Sequence, residues 1–348
     1  MDNAGANRKP GRVTIKEVAA DAGVSVAAVS KVLREAYGVS EALRGKVRAS
    51  MQKLNYRPLA SARGMRGQTF TLGFVIPDLR NPFFADIMAG VNQALERTQY
   101  QMLLGVSDSV EPTERALIEA MIDRQMDGVI AIGPRMPLSE VHEFATRIPT
   151  VLIAHHSPGD AYFDTVNNDD RHGAELVVRH LVSAGYRNIT YLSQKMHGTN
   201  LPAMVTSARE AGYRAAMKEA GLSRHINVVE SLQTSRETQT ETRHLLQSRH
   251  RPEAIFCWTD FIALEVLSVA RELGISVPDE LAIVGYDNTS YCDLAQNALT
   301  SIDQSGQVLG LQATRLLIER IKGRTAAENF VVTPRLVARN SSRGRART

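Results

Sequence analysis

The segment VTIKEVAADAGVSVAAVSKVL, residues 13–33, holds two short apolar-periodic runs separated by Ala22-Gly23-Val24-Ser25. Thr14 and Glu17 form a capping-box pair, opening a helix on which Ile15, Val18, Ala19 and Ala22 share one face. Gly23 supplies the backbone freedom for a tight turn, and Ser25 caps a second helix over 26–34 with Val29, Val32 and Leu33 turned inward. A third helix follows from Ser40, with Leu43, Val47, Met51 and Leu54 as its stripe. Such a unit presents the start of its second helix outward, where side chains reach base edges in a DNA major groove.

Charge agrees with that use. Residues 1–67 carry thirteen Lys and Arg against five Asp and Glu, a net of +8, whereas the whole chain is +4, so the remainder carries −4. A basic surplus confined to one small segment is the footprint of a polyanion-binding module. The alternative is a small helical subdomain whose charges are merely solvated.

The stretch 13–33, with VSEALRGKVRASMQKLNYRP after it, resembles the DNA-binding headpiece of the lactose repressor (LacI/GalR) family. The family pattern is met at Thr14, Val18, Ala19, Ala22, Gly23, Val24, Ser25, Val29, Ser30, Val32 and Leu33. The resemblance implies a headpiece over 1–57 that contacts operator DNA through Thr14, Ser25, Val26, Ala27, Ala28, Ser30, Lys31, Arg34 and Tyr56. Two departures stand out. Ala28 and Lys31 replace the family's usual Thr and Arg, which removes a hydroxyl and turns a bidentate fork into a point charge. The two sequence-reading positions fall on Val26 and Ala27, which suit a thymine methyl and cannot make a bidentate hydrogen bond.

Residues 58–69 read by themselves as a flexible basic linker, with two glycines and too few residues to hold a helix alone. The resemblance implies a hinge helix that forms on DNA, with Arg63 on phosphate and Met65 as the minor-groove wedge.

From Phe70 the pattern changes to apolar runs alternating with helical segments. TLGFVIP, QMLLGVS, GVIAIG and TVLIAHH are separated by helices beginning near Pro82, Pro112 and Leu138, and NITYLS, INVVESL, AIFCWTD and LAIVGYD form a second series. This is α/β architecture: two doubly wound parallel-sheet lobes preceded by an all-α helix-turn-helix headpiece. The lobes resemble the periplasmic binding protein fold, and landmarks from GFVIPDLRNPFF to PRLVARNSS match the lactose repressor family. The body is expected over 70–340, with lobe 1 at about 70–160 plus 290–322, lobe 2 at about 161–289 plus 323–340, and 341–348 a frayed tail.

A small ligand binds between such lobes, at the carboxyl ends of parallel strands. By resemblance Phe84, His155, Arg209, Trp258, Thr259, Asp260 and Asp287 would bind the effector, with Arg209 and Asp287 on opposite walls. Ala154 and His155 stand where the family has an Asp and an Arg or similar residue. This disfavours a neutral hexose and favours a sugar acid, sugar phosphate or other polar metabolite. For Arg209 a surface ion pair, for Asp287 a cap, and for Trp258 core packing remain open.

Cys257 and Cys292 show no metal or redox spacing, and buried thiols are expected. No apolar run approaches the ~18 residues of a membrane span, and MDNAGANRKPGR lacks a secretory apolar core. A cytoplasmic location, nucleoid-associated on DNA, is expected, with no metal and no cofactor. Phosphate-loop, zincin and nucleophile-elbow motifs are missing, which argues against an enzyme. The remaining rival is the sugar-binding protein of a transport system, which would share both lobes but needs no basic headpiece. The expected protein is a ligand-responsive repressor, a homodimer on a near-palindromic operator.

Overall fold

The computed structural model describes residues 13–33, 36–57, 68–157, 161–194, 204–231 and 235–344. Arg34, Arg63 and Met65 lie outside the described residues, as do the hinge segment 58–67 and residues 345–348. Contacts divide the chain into two units meeting between Thr69 and Phe70.

The N-terminal unit is three helices, α1 (Ile15–Ala22), α2 (Val26–Leu33) and α3 (Glu41–Lys53). The capping box forms as the sequence predicts: Glu17 N donates to Thr14 Oγ1 at 3.4 Å and Thr14 N to Glu17 Oε2 at 2.6 Å. Gly23 adopts a φ of 64°, the left-handed conformation that glycine enters without strain. Ser25 Oγ accepts from Ala28 N at 3.1 Å, starting α2. Val18, Ala19, Val29, Val32 and Val47 form the core, with Leu43, Met51, Leu54 and Tyr56 packed around it. Ser50 adds a tie that apolar periodicity does not reveal, its buried hydroxyl donating to Val18 O at 3.2 Å.

The larger unit contains two six-stranded sheets. The strands and helices of its first half are β1 (Thr71–Ile76), α4 (Phe83–Leu95), β2 (Gln101–Val106), α5 (Glu111–Asp123), β3 (Gly128–Ile132), α6 (Leu138–Arg147), β4 (Thr150–Ile153) and β5 (Asp164–Asn168). The chain continues through α7 (Asp170–Ser183), β6 (Ile189–Gln194), α8 (Val205–Glu219), β7 (Asn227–Ser231), α9 (Ser235–Gln247), β8 (Ala254–Cys257), α10 (Asp260–Glu272) and β9 (Ala282–Asp287). It ends with β10 (Thr300–Asp303), α11 (Gly306–Ile321), β11 (Asn329–Val332) and β12 (Arg335–Val337). The first sheet has the order β11-β5-β4-β3-β1-β2 and is parallel throughout. The second runs β12-β10-β9-β8-β6-β7, with only β12 antiparallel, against β10.

This topology corrects the expected lobe limits. β5 belongs to the first lobe, which therefore extends to Asn168, and β11 joins it there. β10 pairs with β9 and belongs to the second lobe. The chain thus crosses between lobes three times, after β5, after β10 and after β11. The tail also begins later than expected. Ser341 and Ser342 are 3% and 0% exposed, because Ser341 Oγ donates to Ile283 O at 2.6 Å and accepts from Thr300 N at 2.9 Å, closing the ends of β9 and β10.

Helix α11 returns to the first lobe and lies against α4. A Cβ at Gly310 would collide with Ile87 O, so only glycine permits this approach. Phe74, Ile76, Ile87, Ile130, Leu309 and Leu316 fill that side of the first-lobe core, and Tyr191, Tyr213, Phe256 and Tyr286 dominate one side of the second.

Candidate functional site

The carboxyl ends of strands from both lobes converge on a cleft of about 180 Å³. Phe84, His155, Arg209, Trp258, Thr259 and Asp287 all line it, as six of the seven expected effector residues. Asp260 does not. Its carboxylate is fully buried behind the cleft, accepting from Thr289 N at 2.7 Å, Ser301 Oγ at 2.5 Å and Cys292 Sγ at 3.1 Å. The first residue of α10 therefore ties that helix to the loop after β9. Cys257 and Cys292 are buried free thiols.

Arg209, on α8, is 3% exposed. Its Nε donates to Asp170 Oδ1 at 2.7 Å and its Nη1 to Trp258 O at 2.7 Å. The guanidinium lies between two rings, 4.3 Å from the Trp258 centroid and 3.5 Å from that of Tyr286, an arrangement in which desolvation strengthens the cation–ring attraction. Gly173 makes room for it, since a Cβ there would strike the Tyr286 hydroxyl. Burial works against the Arg209 charge, yet the adjacent Asp170 carboxylate more than offsets it and raises the pKa. Burial likewise opposes the Asp170 charge, and Arg209 together with His156 outweighs it, holding that carboxyl below its ordinary range. His156 Nε2 lies 2.9 Å from Asp170 Oδ2 and follows β4, so it reaches from the first lobe to the start of the second.

Asp287 ends β9 with a φ of 112°, a strained conformation of the kind concentrated at functional sites. Its two oxygens accept from Asn81 Nδ2 at 2.8 Å and Gln304 Nε2 at 2.5 Å. Burial, reinforced by the charge of Asp260, pushes its pKa up to about 8. Asn81 itself is fixed by Asp78, whose Oδ1 accepts from the main-chain N–H groups of Arg80 and Asn81. Arg209 and Asp287 both belong to the second lobe, which corrects the expectation that they face each other across the cleft. Residues on opposite walls are Asn81 and Asp287, or His156 and Asp170.

Five groups of this site went unassigned in sequence: Asn81, Asn168, Asp170, Tyr286 and Gln304. Asn168 ends β5 and donates to Tyr286 Oη at 2.9 Å, again across the lobes. Asn81 sat within the quoted NPFF stretch, and Asp170 follows a strand that is too polar to recognise by hydropathy.

On the headpiece, Val26 and Ala27 are exposed at the start of α2, and Lys31 is exposed one turn later. Ala28 and Ser30 are half-buried, Thr14 and Ser25 cap helices, and half-buried Tyr56 packs on the core. Among the described residues no helix is long and apolar enough to cross a membrane, and no group of three His, Cys, Asp or Glu could hold a metal ion.

A helix-turn-helix unit attached to a two-lobed ligand cleft defines a ligand-responsive, DNA-binding transcriptional regulator. Residues 14–58 match the model of bacterial regulatory proteins, lacI family, and residues 178–342 match a periplasmic binding protein-like domain. The chain is 32% identical over 324 residues to catabolite control protein A of Priestia megaterium, covering 92% of this chain and 96% of that protein. It is 30% identical over 338 residues to the ribose operon repressor of Escherichia coli (strain K12), covering 94% and 99%. A solved transcriptional regulator CelR–cellobiose complex superimposes with a TM-score of 0.68 at 27% identity, over 95% of this chain and all of that one. The chain belongs to the lacI family of bacterial regulatory proteins. The rival reading as a transport-system binding protein leaves the helices of residues 15–53 without a use.

Proposed function

We propose that this regulator is a homodimeric repressor rather than an enzyme, that it binds a near-palindromic operator, and that a small polar metabolite of carbohydrate type held between the lobes changes its DNA affinity. The observation that carries the reading is the set of hydrogen bonds across the cleft, Asn81 to Asp287 and Asn168 to Tyr286. A ligand meeting these groups touches both lobes at once, and it acts through its different affinity for different lobe arrangements. Phe84, His155, Arg209, Trp258, Thr259 and Asp287 contribute to its site, and Asp260 supports the wall from behind. Thr14, Ser25, Val26, Ala27, Ala28, Ser30, Lys31 and Arg34 meet the operator, with Arg63 and Met65 in the hinge.

Edge strand β2 supports the dimer. Leu103 and Leu104, successive residues on opposite faces of this strand, are 49% and 42% exposed, apolar surface at an open sheet edge that a second copy would cover. Sedimentation and operator titration test the reading together. The wild type should run at twice the 38.2 kDa chain mass and bind a palindrome far more tightly than its half-site. Leu104→Glu should shift the species toward monomer and remove most of that advantage. A monomeric wild type that treats palindrome and half-site alike would refute the dimer.

A further inference from the structure

The outward side of α2 holds little hydrogen-bonding chemistry. Its eight residues are VAAVSKVL, and only Ser30 and Lys31 carry a polar side-chain atom. Val29 and Val32, 0% and 6% exposed, press the helix onto the headpiece core. Successive residues of a helix turn by about 100°, so Ala27 and Lys31 stand on the side away from Val29, and both are exposed. Val26, the first residue of the helix, is 41% exposed, whereas every other valine among the described residues of the headpiece is buried or half-buried.

The polar groups of the neighbouring turns are engaged within the unit. Thr14 Oγ1 donates to Glu17 Oε2 at 2.9 Å and accepts from Glu17 N, Ser25 Oγ accepts from Ala28 N, and Asp21 Oδ1 accepts from Lys53 Nζ at 2.6 Å. A base edge that meets Val26 and Ala27 therefore meets alkyl carbon alone. In the major groove the four natural bases display one alkyl group, the C5-methyl of thymine. Cytosine methylated at C5 carries the same group at the same place. An alkyl side chain gains by covering either methyl, and it has no donor or acceptor with which to tell thymine O4 from the cytosine amine.

We propose that α2 recognises pyrimidine C5-methyl groups through Val26 and Ala27, and that thymine and 5-methylcytosine are equivalent to it at the positions these two residues cover. This rests on the operator binding proposed above and names the chemical feature of the base pair that is recognised. Lys31, one turn further along the same side, keeps an ammonium for a guanine edge or a phosphate. Methylation of a cytosine at a covered position then tightens operator binding, where a helix bearing hydrogen-bonding side chains would lose contacts to it.

The test begins with the full-length protein and a duplex pool randomised over about 20 base pairs, enough for two half-sites one helical turn apart. The duplex it enriches is then the probe, titrated by fluorescence anisotropy at fixed salt. Replacing thymine by deoxyuridine, one position at a time, should weaken binding at one or two positions of the half-site. The loss should be about fourfold for each methyl removed, the effect of burying one CH2 group. At those positions 5-methylcytosine should bind about fourfold more tightly than cytosine. Val26→Ala or Ala27→Ser should bring the deoxyuridine penalty below about twofold at the position that residue covers, and Val26→Ile should keep it. Helical content and thermal midpoints check that each variant is folded. A half-site indifferent to the loss of every thymine methyl, 5-methylcytosine binding no more tightly than cytosine, or a penalty undiminished in both folded Val26→Ala and Ala27→Ser would each overturn the proposal. If a palindrome is enriched and only these arms fail, operator binding stands and the methyl recognition falls. If no sequence is enriched, operator binding falls and the methyl recognition with it.

Discussion

Asn81 donates a 2.8 Å hydrogen bond to Asp287 across the cleft, joining the loop after β1 in one lobe to the end of β9 in the other. The acceptor is an acid whose burial pushes its pKa up to about 8, so the link is sensitive to the protonation state of one oxygen pair. On the proposed function, a ligand hydroxyl placed there would compete with the Asn81 amide and so couple occupancy to lobe arrangement.

That raised pKa has a pH signature. In the unfolded chain the group ionises near its ordinary 3.8, whereas in the fold it holds its proton to about 8, so the native state binds the extra proton in between. Its contribution to stability is greatest below pH 4 and is lost progressively as pH rises to about 8. Asp287→Asn should remove this slope: relative to wild type, the variant should gain stability steadily between pH 5 and pH 8. Urea melts across that range check it, and a constant difference would show that the acid is ionised in the fold.

Arg209 and Asp170 form a pair with both side chains nearly fully buried. Breaking one partner leaves an uncompensated charge, at a cost of about 3–5 kcal/mol. Arg209→Ala should therefore lose both ligand response and stability. The double variant Arg209→Ala with Asp170→Asn should be less destabilised than the two single losses added together, measured by chemical denaturation.

The basic N-terminal segment predicts salt-dependent binding. Each phosphate neutralised releases counterion, so log affinity should fall linearly with log salt, and six to ten contacts correspond to a loss of about 10³ to 10⁵ between 50 and 200 mM. Fluorescence anisotropy with operator DNA reads the slope. A flat line would contradict binding through this segment.

Met65 lies outside the described residues, and the expectation for it comes from sequence alone: it is the only long apolar side chain between Leu59 and Phe70. Met65→Ala should weaken operator binding by about 1–3 kcal/mol and leave binding to scrambled DNA and the salt slope in place. Equal binding of both DNAs by variant and wild type would reduce the segment to a tether.

The headpiece was legible because its signals are local. Thr14, Glu17, Gly23 and Ser25 each act within four residues of themselves, and the structure uses all four as the sequence predicts. The β-strands with apolar runs were equally plain. β5 was not, since DTVNN reads as a connection and yet forms a fully buried strand. It can do so because each polar side chain meets a distant partner: Asp164 meets Arg320 and Arg324, Asn167 meets the main chain of His155, and Asn168 meets Tyr286. Those partners are more than 100 residues away for Asp164 and Asn168, beyond any periodicity. The same limit applies to the site. Six of the side chains at family positions line the cleft, but nothing in the spacing of Asp260 tells that it turns inward to Ser301 and Thr289.

Three passages of the chain between the lobes also govern how this protein can be recombined. A graft that replaces either lobe alone needs three junctions, near 169, 304 and 333, each within two residues of a β-strand that must keep its register. A graft of the whole body needs one, between residues 57 and 70. Exchanging DNA specificity among such regulators is thus a single-splice operation, while exchanging half of an effector site requires rebuilding every crossing together.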